Sequence, residues 1–387
     1  MTVSTLLDIE ACPRRWALSS ADYPDLWSGR GYPARVHIGA VRGSVAHLVV
    51  ETVMRDLVQA GCSSAQDGAA VQVMKARGGY TRVVSECIDR VLGRFKGNPR
   101  ARPQLEAAER SMRALIPELR AQAQAFFARI RLETAPTRYR ESGAAGRQAL
   151  PVGAHPEVEL MAPTIGWKGR ADLVVLTGKG CEIIDFKTGA EAESHEFQVQ
   201  VYALLWSLDG DLNPDGRPPS KLTLAYPGKD RQVEVPSAAR LQELRHQLLE
   251  RGDAARTAVR SLPPEVHPAA ATCRYCSVRH LCSEYWTSEV QELLTTPHEP
   301  QEETSPRDLE VELQGQHGTA SWDGIIEAGF QSGPGRRVLL RGAHEQFGAG
   351  AGRRFRLLDA FVLPVRDNDT GPVVATMTGL SEAFEVT

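Results

Sequence analysis

Hydrophobic positions recur at helical spacing through the first third of the chain and switch to alternating spacing near its middle. Val41, Val45, Leu48, Val49, Val53 and Leu57 fall on one face of a helix predicted over residues 39–59. A shorter helix is predicted over residues 4–18, capped by Ser4. Helical patterns continue over 71–95 and 104–132, on either side of the break Gly97-Asn98-Pro99. After a small-residue linker at 143–153, strands are predicted at 158–161, 167–176 and 182–186. A helix over 196–208, strands at 221–226 and 232–235, and a helix over 241–259 follow.

This order predicts an α/β fold: a mixed sheet flanked by helices, with a helical insertion at about residues 57–154, in a domain covering 1–290. A Pro-, Glu- and Thr-rich linker is expected at 291–308. Beyond it, short β-like segments at 311–315, 337–341, 353–365 and 373–378 alternate with glycine-rich breaks, predicting a small all-β domain at 309–387. A small barrel fits, either OB-like and oligonucleotide-binding or a structural, partner-docking unit.

The hairpin in the middle carries the chemistry. Gly166-Trp167-Lys168-Gly169-Arg170-Ala171-Asp172 leads through the turn Thr177-Gly178-Lys179-Gly180 into Cys181-Glu182-Ile183-Ile184-Asp185-Phe186-Lys187-Thr188-Gly189. Strand side chains alternate, so Asp185 and Lys187 project from the same side, and Asp172 can reach that side from the neighbouring strand. Asp172, Asp185 and the Phe186 carbonyl are oxygen donors of the kind a hard divalent cation takes, Mg2+ or Mn2+. Lys187 is placed to orient a water or stabilise negative charge on an attacked phosphate. An exposed hairpin can carry Asp and Lys by chance, but Ile183, Ile184 and Phe186 predict burial, where a carboxylate and an ammonium need each other or a ligand.

Composition shifts this picture little. The 45 basic and 48 acidic residues give a net charge of -3, which does not mark a nucleic-acid binder overall. Local stripes matter more, and basic residues concentrate at Arg94, Lys96, Arg100, Arg102, Arg110, Arg113, Arg120, Arg129, Arg131, Arg138 and Arg140. A second group is Arg336, Arg337, Arg341, Arg353, Arg354 and Arg356. Each group is either a phosphate-binding stripe or a solvated surface. No membrane-length apolar run and no signal-peptide layout is present, so a cytoplasmic protein with no membrane association is expected. No Walker A pattern occurs, so any DNA unwinding would come from a partner.

Further residues join the constellation. Gln198 and Tyr202 are four apart on one helix face, and His47 sits within the apolar helix after Arg42-Gly43-Ser44-Val45-Ala46. Cys273-x2-Cys276-x5-Cys282 favours a metal over disulfides in an intracellular protein but leaves a four-coordinate site one ligand short. Zinc bound by these three cysteines and His280 is one reading. Cys62, Cys87 and Cys181 have no partner spacing.

These motifs together resemble the RecB-type branch of the PD-(D/E)XK nuclease superfamily, over about residues 4–285. The resemblance implies a restriction-endonuclease-like core with His47, Asp172 and Asp185 as metal ligands, Lys187 as catalytic lysine, and Gln198 and Tyr202 near the substrate strand. Glu159 stays outside that set. The Cys12-Pro13-Arg14-Arg15-Trp16 motif before the core and the three cysteines after it are similar to AddB-type and CRISPR-associated RecB-type nucleases. That likeness implies a [4Fe-4S] cluster held by Cys12, Cys273, Cys276 and Cys282. The implied activity is a metal-dependent deoxyribonuclease, exonuclease rather than endonuclease, acting on single-stranded ends or flaps. Repair, recombination and anti-phage defence are compatible settings, with a helicase or another such subunit in trans. The alternative is a non-catalytic DNA-binding scaffold retaining the fold.

Overall fold

A computed structural model of the chain describes residues 1–132, 147–295, 306–329, 334–342, 347, 351–363 and 371–386. Arg138 and Arg140 therefore lie outside the described residues, as does most of the predicted linker after residue 295. The chain divides into two compact units. The first is Met1–Leu7, Val36–Gly97 and Leu105–Arg256; the second is Asp8–Arg35, Asn98–Gln104 and Thr257–Thr387.

Where one N-terminal helix was expected there are two, α1 (Val3–Ala11) and α2 (Pro13–Ser20). Pro13 has no N–H to donate and disfavours the helical region for the residue before it, so Cys12 is extended and caps α2 through its sulfur. The first cap is Thr2 rather than Ser4: the Thr5 N–H donates to Thr2 Oγ1 at 3.1 Å.

In the first unit, α3 (Ile38–Gln59) buries Val41, Val45, Leu48, Val49, Val53 and Leu57. The predicted 71–95 helix is broken at Gly78-Gly79, where both residues have positive φ, into α4 (Gly68–Ala76) and α5 (Gly79–Gly93). Likewise α6 (Leu105–Ala114) stops before α7 (Ile116–Phe127), which has a proline in its first turn. A five-stranded sheet follows in the order β1 (Gly153–Ala162), β2 (Trp167–Thr177), β3 (Gly180–Phe186), β4 (Lys221–Ala225) and β5 (Asp230–Val233). Only β3 and β4 are parallel, joined by the crossover helix α8 (Glu193–Leu208); the other neighbours are antiparallel. The sheet is thus mixed, and α9 (Ala238–Arg260) follows it. Leu173, Val175, Ile184 and Phe186 pack with α3, α5 and α7 into one core.

The second unit contains α2, the short α10 (Ala270–Cys273) and α11 (Ser288–Thr295). It also holds six strands: β6 (Pro306–Gln316), β7 (Ser321–Ala328), β8 (Arg337–Arg341), β9 (Arg354–Val362), β10 (Val373–Thr376) and β11 (Glu382–Glu385). Their order is β10-β8-β7-β6-β9-β11, and β10 also pairs with β9, which gives the sheet a barrel-like closure. Leu309, Leu313, Phe347, Leu357 and Val373 fill its interior. The sequence pattern missed β7, whose Gly324 reads as a break. A Cβ there would lie 2.9 Å from the Glu312 carbonyl oxygen, so the glycine marks close backbone approach within the sheet. It also missed β11. Arg279 joins the cysteine-bearing segment to the barrel: its buried guanidinium pairs with Asp308 and Asp359. Among the described residues no helix is long and apolar enough to cross a membrane.

Candidate functional site

The first site forms where the middle of β2 and the end of β3 meet α3 and α8. Asp172 Oδ2 accepts from the Phe186 N–H at 2.5 Å, which fixes one carboxylate oxygen across the β2–β3 ladder. Lys187 Nζ is 2.6 Å from Asp185 Oδ2 and donates to Gln198 Oε1 at 2.6 Å. Gln198 Nε2 in turn donates to the Tyr202 hydroxyl at 2.6 Å. His47 Nδ1 stands 3.8 Å from Asp172 Oδ1, too far for a hydrogen bond. The structure therefore brings together Asp172, Asp185, Lys187, Gln198, Tyr202 and His47, with Phe186 between the acid and the lysine.

The electrostatics leave this group short of positive charge. Burial, then the Asp185 charge, raises the Asp172 carboxyl well above the usual carboxylate range. Burial also raises Asp185, against the pull of Lys187. Burial lowers the His47 imidazole, so it adds no charge at neutral pH. Asp185 Oδ2 is buried without an aligned hydrogen-bond donor despite the nearby ammonium. A buried, incompletely satisfied carboxylate oxygen beside a second carboxylate is what a divalent cation relieves, so the donor set fits one. Among the described residues, no three His, Cys, Asp or Glu side chains are gathered closely enough to form a metal-ligand cluster.

Two acids escaped the sequence reading. Glu157, the residue of β1 that falls opposite Asp172 in the register, has a φ of 56° and its carboxyl is raised by burial and by Glu51. Glu51 lies one turn after His47 on α3. The i,i+4 spacing from His47 and the register with Asp172 are the signals that would have found them. Glu159, by contrast, pairs with Lys168 at 3.6 Å. Many of the arginines singled out for phosphate contact are already engaged with acids: Arg113 with Asp89 and Glu109, Arg129 with Asp230, Arg353 with Glu385 and Arg356 with Glu310.

The second site is in the other unit. Cys12, Cys273, Cys276 and Cys282 line one cavity together with Leu18, Val266, Val278 and Val290, and all four are free thiols. Burial pushes the Cys276 thiol up to about 11, with Cys282 and Cys12 adding to the rise. Arg15, Arg279 and Glu284 also border this cavity. His280 does not line this cavity. Its Nε2 meets the Tyr32 hydroxyl at 2.6 Å and its ring stacks on Phe384 at 3.7 Å, so the three-cysteine, one-histidine arrangement does not form. Cys62, Cys87 and Cys181 are buried elsewhere.

No curated protein matches this chain. Among solved structures, one described as the crystal structure of SSO0001 shares 19% identity over 35% of this chain and 62% of its own, with a TM-score of 0.22. The chain thus spans under two thirds of that relative's length. A murine DNA-binding protein bound with double-stranded DNA shares 11% identity over 61% of this chain and 95% of its own, with a TM-score of 0.17. The family model of the PD-(D/E)XK nuclease superfamily matches residues 1–283, which takes in the hairpin of Asp172 and Asp185 as well as Cys12, Cys273, Cys276 and Cys282. With most of its length matched, the chain belongs to the PD-(D/E)XK nuclease superfamily.

Proposed function

We propose that the protein is a RecB-type, metal-dependent deoxyribonuclease that acts exonucleolytically on single-stranded ends or flaps. The observation that carries this reading is the Asp172–Asp185 carboxylate pair with a single ammonium, Lys187, held between Asp185 and Gln198. Asp172, Asp185, His47 and the Phe186 carbonyl would hold Mg2+ or Mn2+, which supplies Lewis acidity and a more acidic bound water. Lys187 is fixed by Gln198, so its charge is directed at the site without reorganisation and can offset the charge gathering on an attacked phosphate. Tyr202 orients Gln198 and, with its phenol raised by burial, stays protonated.

Cys12, Cys273, Cys276 and Cys282 would hold a [4Fe-4S] cluster, which supplies a cross-link between α2 and the α10 region rather than redox chemistry. The barrel-like β6–β11 sheet supports an OB-like, strand-gripping role. Cytoplasmic repair, recombination or antiviral defence, with a helicase in trans, is the setting we infer. The test is cleavage of end-labelled single-stranded and duplex DNA with Mg2+, Mn2+ or EDTA by protein purified without air. Metal-dependent cleavage that disappears in Asp185→Ala supports the reading. DNA binding without cleavage of any DNA form makes the protein a scaffold.

A further inference from the structure

A pocket opens beside Gln198 and Tyr202 and is bounded by Lys168, Arg170, Glu159 and Thr2. We propose that this pocket holds a phosphate group of the bound nucleic acid strand, next to the one positioned at Asp172. The proposal rests on the nuclease reading for the direction of the strand but not for its own test.

Strand β2 acts as a ruler. Lys168, Arg170 and Asp172 are at alternate positions and so share one face. Each two-residue step advances about 6.8 Å along the strand, comparable with the step from one phosphate to the next in an extended nucleic acid strand. A strand whose reacting phosphate lies at Asp172 would therefore bring the next phosphate to Arg170, with Lys168 one step beyond it.

Lys168 is free to turn to it, and Arg170 presents an exposed guanidinium beside it. Lys168 faces Glu159 and Arg170 faces Glu157, each at 3.6 Å, and the lysine and arginine side chains are 55% and 63% exposed. The Lys168–Glu159 pair is long and solvated and therefore weak, whereas the Glu157 carboxylate that Arg170 faces is only 13% exposed. Tyr202 supplies the neutral donor: the residue is 5% exposed, its oxygen accepts from Gln198, and among the described residues its own O–H has no acceptor. Gly169 lies between the two cations and by the same alternation faces the other side of β2, where its missing side chain leaves room for the Tyr202 ring, so the pocket is lined from both sides of the strand.

The test uses the full chain and a fluorescent oligothymidylate in Ca2+ buffer, with anisotropy as readout so that cleavage is not required. The Lys168→Ala, Arg170→Ala double variant is expected to bind about tenfold more weakly, with a salt slope lower by about 0.7 for the lost contact. Glu159→Gln should bind more tightly at low salt. Oligonucleotides with and without 5′- or 3′-terminal phosphates distinguish the sources: equal loss for all assigns an internal diester, and loss confined to one phosphorylated end assigns a terminal monoester. Unchanged affinity and slope in the double variant, or a wild type that binds no oligonucleotide, overturns the proposal. A wild type that binds but never cleaves overturns the nuclease reading alone.

Discussion

Gly169 passes so close beneath Tyr202 that a Cβ at this position would lie 2.7 Å from the ring carbon Cε1. The ring must therefore move in Gly169→Ala, and with it Gln198 and the hydrogen bond that holds Lys187. We expect the variant to lose about 1–3 kcal/mol of stability from overpacking and to lose most of its cleavage rate. Gly178→Ala in the β2–β3 turn, where a Cβ meets nothing within 4 Å, is the matched control and should change neither. Thermal melts and single-turnover cleavage read both.

Removing the ammonium isolates its chemical part. Lys187→Ala should cut the cleavage rate by about 10²- to 10³-fold, the scale of one lost preorganised charge donor, while DNA affinity stays within a few-fold of wild type. An equal fall in affinity would assign Lys187 to binding instead.

The cysteine cavity makes a compositional prediction. Cys12→Ser should purify with much less iron and without brown colour, and should melt at lower temperature. Cys62→Ser, a buried thiol that does not line the cavity, should keep its iron. Stoichiometric zinc and no iron in the wild type would replace the cluster by a single-ion site.

His280 predicts a pH dependence. Burial, with Arg100, Arg279 and Arg356 nearby, lowers its imidazole to about 3 from the usual 6.5. Between those values the unfolded chain takes up a proton that the folded chain refuses. Stability from this residue is therefore complete above about pH 6.5 and falls as pH drops towards 3, by about 1.4 kcal/mol per pH unit within the window. Urea midpoints measured from pH 7 to 4 should fall less steeply in His280→Gln than in the wild type.

What was legible in the sequence was what depends on local period. Helix α3 followed from its apolar stripe, and the facing of Asp185 and Lys187 followed from strand alternation alone. What depends on distant pairing was not legible. Glu157 became visible only when the β1–β2 register set it opposite Asp172. The pocket at Lys168 and Arg170 needed α8 to bring Tyr202 against β2. The break at Cys12 was in principle readable, because Pro13 forbids the helix the apolar pattern suggested. Closure of the barrel was not, because β10 reaches both β8 and β9 through pairings separated widely in sequence.

The second unit draws its residues from Asp8–Arg35, Asn98–Gln104 and Thr257–Thr387, and this division governs the order of events at the ribosome. Cys12 emerges 261 residues ahead of Cys273, a delay of roughly 13 to 52 s at about 5–20 residues per second. The first unit is fully translated by Arg256 and can fold during that interval. Helix α2 cannot meet the rest of its unit until residues from Thr257 onward have been made, so Cys12 stays apart from Cys273, Cys276 and Cys282 until then. Loading of the proposed cluster can therefore begin only once Cys282 has been made, and closure of the barrel only after the strands from Pro306 onward have followed, well after the first unit is complete.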